Sequence, residues 1–174
     1  MNATSAVDRC PLCATLRAGD ERYCERDGYD FVESLIPPDT RMWEAVVTAD
    51  REHYERVEPA GIEFPTEPGR RVFPLDRDHV LIGRRSRSQG VDPDINLSGA
   101  PEDPGISHRH ARLVRGADGA YALVDLGSTN GTTMNGDPAP LPPDTPVTLT
   151  DGDRVHIGAW TTVTIREITD RRST

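Results

Sequence analysis

Lysine is absent from this 174-residue chain, and all 20 basic residues are arginine. Every cation is therefore a planar, permanently charged fork of the kind that matches carboxylate and phosphate oxygens in pairs. Aromatic residues are scarce at 5%, and apolar residues reach only 35%, which leaves enough for a core but not for an extensive one. No stretch approaches the roughly 18 uninterrupted apolar residues of a membrane span. The opening MNATSAVDRC lacks both the basic start and the apolar stretch of a secretion signal. A cytoplasmic location with no membrane partner is the expectation. There are three cysteines, and in a reducing compartment no stable disulfide is expected between them.

What the chain does have is turns. Fifteen glycines and 15 prolines favour short strands over long helices. The net charge of −9 argues against a dedicated nucleic-acid binder, whose affinity rests on neutralising phosphates. That charge is unevenly spread: residues 1–69 hold 15 acidic and 7 basic groups, whereas residues 70–174 hold 14 and 13. Texture divides the chain into a cysteine segment (1–33), a proline-bounded linker with a short strand MWEAVVTA and a short helix capped by Asp50 (34–69), a main domain (70–168) and a tail (169–174). From residue 70 the apolar period is close to two, and turn signals recur every 8 to 12 residues, the pattern of an all-β sandwich. Strands are predicted at 70–75, 79–84, 94–97, 110–115, 120–126, 132–135, 145–150, 154–158 and 161–167. Asn135-Gly136 is a two-residue hairpin signal, because both positions of that turn need positive φ.

A sandwich keeps its working residues in the loops at one end. Here the loops GRRSRSQG, APEDPGISHRH and GSTNGTT offer Arg84, Ser107, Arg109, Thr129 and Asn130. Two guanidinium forks, two hydroxyls and a carboxamide form a donor-rich set suited to an anion. Ser107 and His110 could instead be a nucleophile and its base. Their spacing at a loop-to-strand junction turns the side chains apart, however, and no third carboxylate or nucleophile elbow accompanies them.

The ordered set Gly83-Arg84, Ser107-x-x-His110, Asp125-x-x-Ser128-Thr129-Asn130-Gly131 and Asn135-Gly136 resembles that of forkhead-associated (FHA) domains, from about residue 70 to 168. The resemblance implies an antiparallel β-sandwich of about eleven strands, non-enzymatic, that binds phosphothreonine-containing peptides through its apical loops. By that likeness Arg84 and Ser107 hold the phosphate, Thr129 lines the phosphate and methyl pocket, and Asn130 bonds the peptide backbone. Arg109 is an auxiliary phosphate contact. Gly83, His110 and Gly131 are architectural, with His110 bracing the loop that presents Ser107, and His108 is expected to face solvent. One departure is the long SGAPEDPG connection, which brings Glu102 and Asp103 near the site. They either favour a basic peptide residue there or point to water.

Cys10, Cys13 and Cys24 are spaced as in a zinc ribbon, with Asp27 where a fourth thiolate would stand. Three thiolates and a carboxylate can bind one zinc tetrahedrally, so a structural zinc on Cys10, Cys13, Cys24 and Asp27 is an expectation. The whole arrangement is similar to actinobacterial proteins that accompany Ser/Thr kinases and phosphatases. It implies an adaptor or regulator whose partner is a phosphothreonine protein, a kinase or a kinase substrate, with the leader MNATSAVD as a phosphorylation candidate. The alternatives are a phospho-independent interaction scaffold and a zinc-ribbon adaptor for nucleic acid.

Overall fold

The structure is a computed structural model that describes residues 9–11, 14–26, 28–33 and 41–168. The leader MNATSAVD, Cys13, Asp27 and the 169–174 tail lie outside the described residues. Ten strands and one α-helix are described: β1 (Met42–Ala49), α1 (Arg51–Val57), β2 (Arg70–Leu75), β3 (His79–Gly83), β4 (Ile95–Asn96), β5 (Ala111–Arg115), β6 (Tyr121–Asp125), β7 (Thr132–Met134), β8 (Val147–Thr148), β9 (Arg154–Ile157) and β10 (Thr161–Ile168). They form two five-stranded sheets, ordered β2-β1-β10-β9-β7 and β4-β3-β5-β6-β8. This is a two-sheet β-sandwich, the architecture the resemblance implies. No helix among the described residues is long and apolar enough to cross a membrane.

Alternation along the strands builds the core. Trp43, Ala45 and Val47 of β1 point inward with Val155, Ile157, Val163 and Ile165 of the same sheet, against Val80, Ile82, Leu113, Tyr121 and Leu123 of the other. Tyr121 and Trp43 meet edge to face, with ring centroids 6.4 Å apart. Both polar tips have partners, since the Tyr121 hydroxyl donates to the Arg77 carbonyl and Trp43 Nε1 donates to Gly119. Burial of such large side chains is what makes a lean composition sufficient.

Three features depart from the sequence reading. Met42–Ala49, placed in a linker, runs antiparallel between β2 and β10, pairing Trp43 with Leu75 on one side and Glu167 on the other. Its apolar residues at alternate positions are those of a half-buried strand. Secondly, the sheets are not wholly antiparallel, because β3 and β4 pair in parallel. Finally, Asn135 and Gly136 do take positive φ, 53° and 82°, but the turn joins no hairpin. β7 pairs with β9 and the chain crosses to β8 in the other sheet. The turn dipeptide sets local geometry, and the partner of the next strand is chosen by core packing.

Helix α1 forms as its sequence predicts. Asp50 is the N-cap, its carboxylate accepting from the His53 amide at 3.2 Å. The same side chain accepts from Arg154 at 2.6 Å and Thr162 at 2.8 Å, which fixes the helix to the β9–β10 pair. His53 Nε2 donates to the Gly158 carbonyl at 3.2 Å. The helix therefore buttresses the β9–β10 turn, and that turn in turn supports the loops described next.

Candidate functional site

The site begins at the end of β3. Gly83 lies so close to residue 108 that a Cβ there would collide with the His108 carbonyl. A side chain at this position is therefore excluded, and the backbone of Ser107 and His108 lies directly against the strand end. The Arg84 amide donates to the Ser107 carbonyl at 3.3 Å. His108, expected to face solvent, is half-buried and donates from Nδ1 to the Arg84 carbonyl at 3.2 Å. It ties the arginine loop to the serine loop, a role that no local signal reveals.

His110 is fully buried at the start of β5, and both of its nitrogens are committed. Nδ1 accepts from the Ser107 backbone amide at 3.1 Å, and Nε2 donates to the Gly131 carbonyl at 3.2 Å. Burial lowers its pKa, against the opposing pull of Asp125, so the ring is neutral, in the tautomer these two bonds require. The Ser107 hydroxyl is not bonded to this histidine. Its oxygen accepts the Thr129 amide at 3.1 Å and stands 3.4 Å from the Thr129 hydroxyl. A general base needs the proton it is to remove within reach, and His110 is occupied elsewhere.

Two buried aspartates shape the loops around this centre. Asp125, at the end of β6, accepts from the amides of Gly127 and Ser128 with one oxygen, and from the Ser128 and Thr132 hydroxyls with the other, both at 2.6 Å. Burial opposes its ionisation, but the bonds from Ser128 and Thr132 outweigh it and hold the carboxyl below its usual range. The loop that carries Thr129 and Asn130 is thus folded around a carboxylate. Asp103 does the same for the serine loop. It is 1% exposed, and its oxygens accept from Gly105, from the amides of Ala159 and Trp160, and from the Thr161 hydroxyl at 2.8 Å. Gly158 leaves the room: a Cβ there would fall 2.6 Å from Asp103 Oδ2. Asp103 therefore points into the fold rather than toward a ligand or water, which corrects the expectation for one of the two insertion carboxylates.

Glu102, its exposed neighbour, faces the site. Its carboxylate pairs with Arg84 Nη1 at 2.8 Å, while Arg84 Nε donates to the Ile106 carbonyl at 2.6 Å. Arg84 is partly covered, with 23% of its side chain exposed. Arg85 turns away, bonded to Asp92. Arg84, Ser107, Arg109, Thr129 and Asn130 all line one open cleft of about 420 Å³. The sequence-predicted polar set is therefore brought together, with Arg109 exposed on the rim. Asn130 Nδ2 donates to the Gly105 carbonyl at 2.8 Å, linking the two loops. Gly131 has φ 78° and returns the loop into β7. A second cleft of about 510 Å³ lies beyond Asn130, between α1 and the β9–β10 turn. It is larger, but its lining is mostly apolar, and its single arginine, Arg56, is paired with Glu52.

Residues 80–158 match the family model described as FHA domain. By that match, residues 80–158 form an FHA-type domain. Among known proteins, an FHA domain-containing protein of Arabidopsis thaliana is 38% identical over 91 residues, 52% of this chain and 21% of its own length. The oxoglutarate dehydrogenase inhibitor of Corynebacterium diphtheriae is 38% identical over 93 residues, 53% of this chain and 54% of that protein. The matched stretch thus spans about half or less of these relatives. The solution structure of the FHA domain of an Arabidopsis thaliana protein superimposes with a TM-score of 0.54 at 24% identity, covering 79% of this chain and 95% of that one. The likeness confirms the fold. It extends through most of the sandwich, whereas the match in sequence is concentrated in the FHA stretch that bears the cleft.

At the N-terminal end, residues 9–33 contain two turns built alike. Cys10 N donates to Thr15 O and Ala14 N to Cys10 O; Cys24 N donates to Tyr29 O and Gly28 N to Cys24 O. Each is closed by a bridge, Arg9 to Leu16 and Tyr23 to Asp30. Ala14 and Gly28 occupy equivalent places with φ 57° and 71°. Cys10 and Cys24 are both buried, beside Tyr29 and Phe31. Among the described residues no group of three metal-ligating side chains is found, and Cys13 and Asp27 lie outside them.

Proposed function

We propose that this protein is a phosphothreonine-peptide-binding adaptor or regulator, acting without catalysis in Ser/Thr kinase signalling. The observation that carries the reading is the convergence of Arg84, Ser107, Thr129 and Asn130 on one cleft, held by loops that two buried carboxylates pre-shape. A phosphothreonine dianion brings about −1.5 to −2 charges and three acceptor oxygens. Arg84 supplies the charged fork, and the Ser107 and Thr129 hydroxyls supply short-range donors. Asn130, exposed in the cleft, offers a carboxamide to the polar groups of an extended peptide backbone. Arg109 on the rim adds a second cation. The commitment of both His110 nitrogens supports a binding site over a hydrolytic one. The name of the Corynebacterium relative, an enzyme inhibitor, is in keeping with a role played by binding.

Charge-assisted bonds are worth roughly 1.5 to 3 kcal/mol each, so Arg84→Ala is expected to weaken phosphothreonine-peptide binding by about tenfold or more. Titration of the purified protein against a phosphothreonine peptide library, with that variant and phosphatase-treated peptides as controls, tests the reading. Equal binding by wild type and variant, or binding that survives dephosphorylation, would favour the phospho-independent scaffold instead.

For the N-terminal unit we propose a structural zinc held by Cys10, Cys13, Cys24 and Asp27. The support is the repeated turn, since it sets the first cysteine of each half at the same point of the same backbone motif. Metal analysis of the protein as purified, with less than one zinc per chain as the contrary result, tests it.

A further inference from the structure

The insertion before Ser107 places a carboxylate on the arginine that the proposed phosphate needs. Glu102 Oε1 lies 2.8 Å from Arg84 Nη1, a charge-assisted geometry of the kind a phosphate oxygen would adopt. The position is not an accident of a loose loop. Asp103, the next residue, is locked into the β9–β10 turn by the amides of Ala159 and Trp160 and the Thr161 hydroxyl. At the other end of the insertion, the Ser98 hydroxyl accepts from the Arg85 amide at 2.7 Å. Glu102 is thereby tethered beside Arg84, while about half of its side chain remains exposed, so it can swing out without unfolding the loop.

We infer that Glu102 is a built-in competitor for Arg84, occupying a phosphate-oxygen position on the guanidinium until a bound phosphothreonine displaces it. This rests on the phosphate-binding reading of the cleft. A site whose competent form is only part of the population binds with an apparent Kd raised by that fraction. The half-exposed pair belongs to a class worth at most about 1 kcal/mol, which converts to a shift of about two- to fivefold in affinity. The device sets a threshold: a ligand that makes one weak contact with Arg84 does not repay the lost Glu102 bond, whereas a phosphothreonine that also engages Ser107, Thr129 and Arg109 does.

The test is calorimetric titration of the full chain with a synthetic phosphothreonine peptide whose flanking residues are all alanine, so that no basic neighbour contacts Glu102. Glu102→Gln is expected to tighten binding two- to fivefold with an unchanged melting temperature, and Glu102→Asp, which keeps the charge one methylene shorter, to fall between the two. Arg84→Ala is run in parallel. If Arg84→Ala weakens binding but Glu102→Gln leaves it the same or weakens it, the competitor inference is wrong and the phosphate-binding reading stands. If the wild type, Glu102→Gln and Arg84→Ala proteins all fail to distinguish the phosphorylated from the unphosphorylated peptide, both fall.

Discussion

The two loops that flank the cleft are each folded around a buried aspartate, and they differ in where its partners come from. Asp125 is satisfied locally: its donors are Gly127, Ser128 and Thr132, two to seven residues away. Asp103 takes one local bond from Gly105, and the rest come from residues 56 to 58 positions on, at the β9–β10 turn. The first loop is a self-contained turn that carries Thr129 and Asn130 wherever β6 goes. The second is a strap, whose placement of Glu102 and Ser107 exists only once β9 and β10 are in the sheet. Local networks make a loop robust, and remote ones make its position depend on the whole fold.

This contrast can be broken from either side. Asp103→Ala leaves three backbone amides and a hydroxyl unpaired in a site closed to water, and at about 1 to 3 kcal/mol for each buried donor left unsatisfied the loss is about 3 kcal/mol or more. It is expected to lower stability by that amount in chemical denaturation and to weaken peptide binding as well, since Ser107 loses its support. Asp125→Ala is expected to cost less, about 2 kcal/mol, because Gly127 and Ser128 sit where water can replace the carboxylate and only Thr132 is fully buried. Equal losses for the two variants would show that the local and remote networks are not different in kind. The smallest effect near neutrality is that of acid. Burial depresses His53 and His110, and pushes His156 down to about 4. In each case the folded value lies below the ordinary 6.5, so unfolding takes up protons. Stability is full above about pH 6.5 and declines as the pH falls, continuing to about 4 for His156. Because His110 braces the Asp125 loop and His53 braces the turn that Asp103 grips, both supports weaken together. A melting temperature that stays flat from pH 7 to 5 would contradict this.

Much of the site was open to sequence reasoning because its signals are short-range. Arg84 directly follows a strand and a glycine, Ser107 precedes His110 by three residues, and the Ser128-Thr129-Asn130-Gly131 turn starts from Asp125. Each of these relationships is fixed by the covalent chain. The predicted strands from residue 70 agree with the observed ones to within a few residues at their ends, and MWEAVVTA with its Asp50-capped helix formed as read. What escaped was any partnership over distance. Nothing in DREHYERV shows that His53 reaches Gly158, and nothing in SGAPEDPG tells the buried Asp103 from the exposed Glu102, although they are neighbours of the same charge. Nor does the Asn135-Gly136 dipeptide show that the strand after it belongs to the other sheet.

By itself, then, the sequence determined the alternating strands, the turns between them and the inventory of arginine, hydroxyl and carboxamide donors at one end, because period, φ preference and residue type are local properties. Tertiary structure alone decided which strand lies beside which, that Met42–Ala49 belongs inside the sheet, and that one of two adjacent carboxylates anchors the loop while the other sits on Arg84. Burial against strands far along the chain makes those choices, since a carboxylate enters the interior only where donors from elsewhere already wait for it.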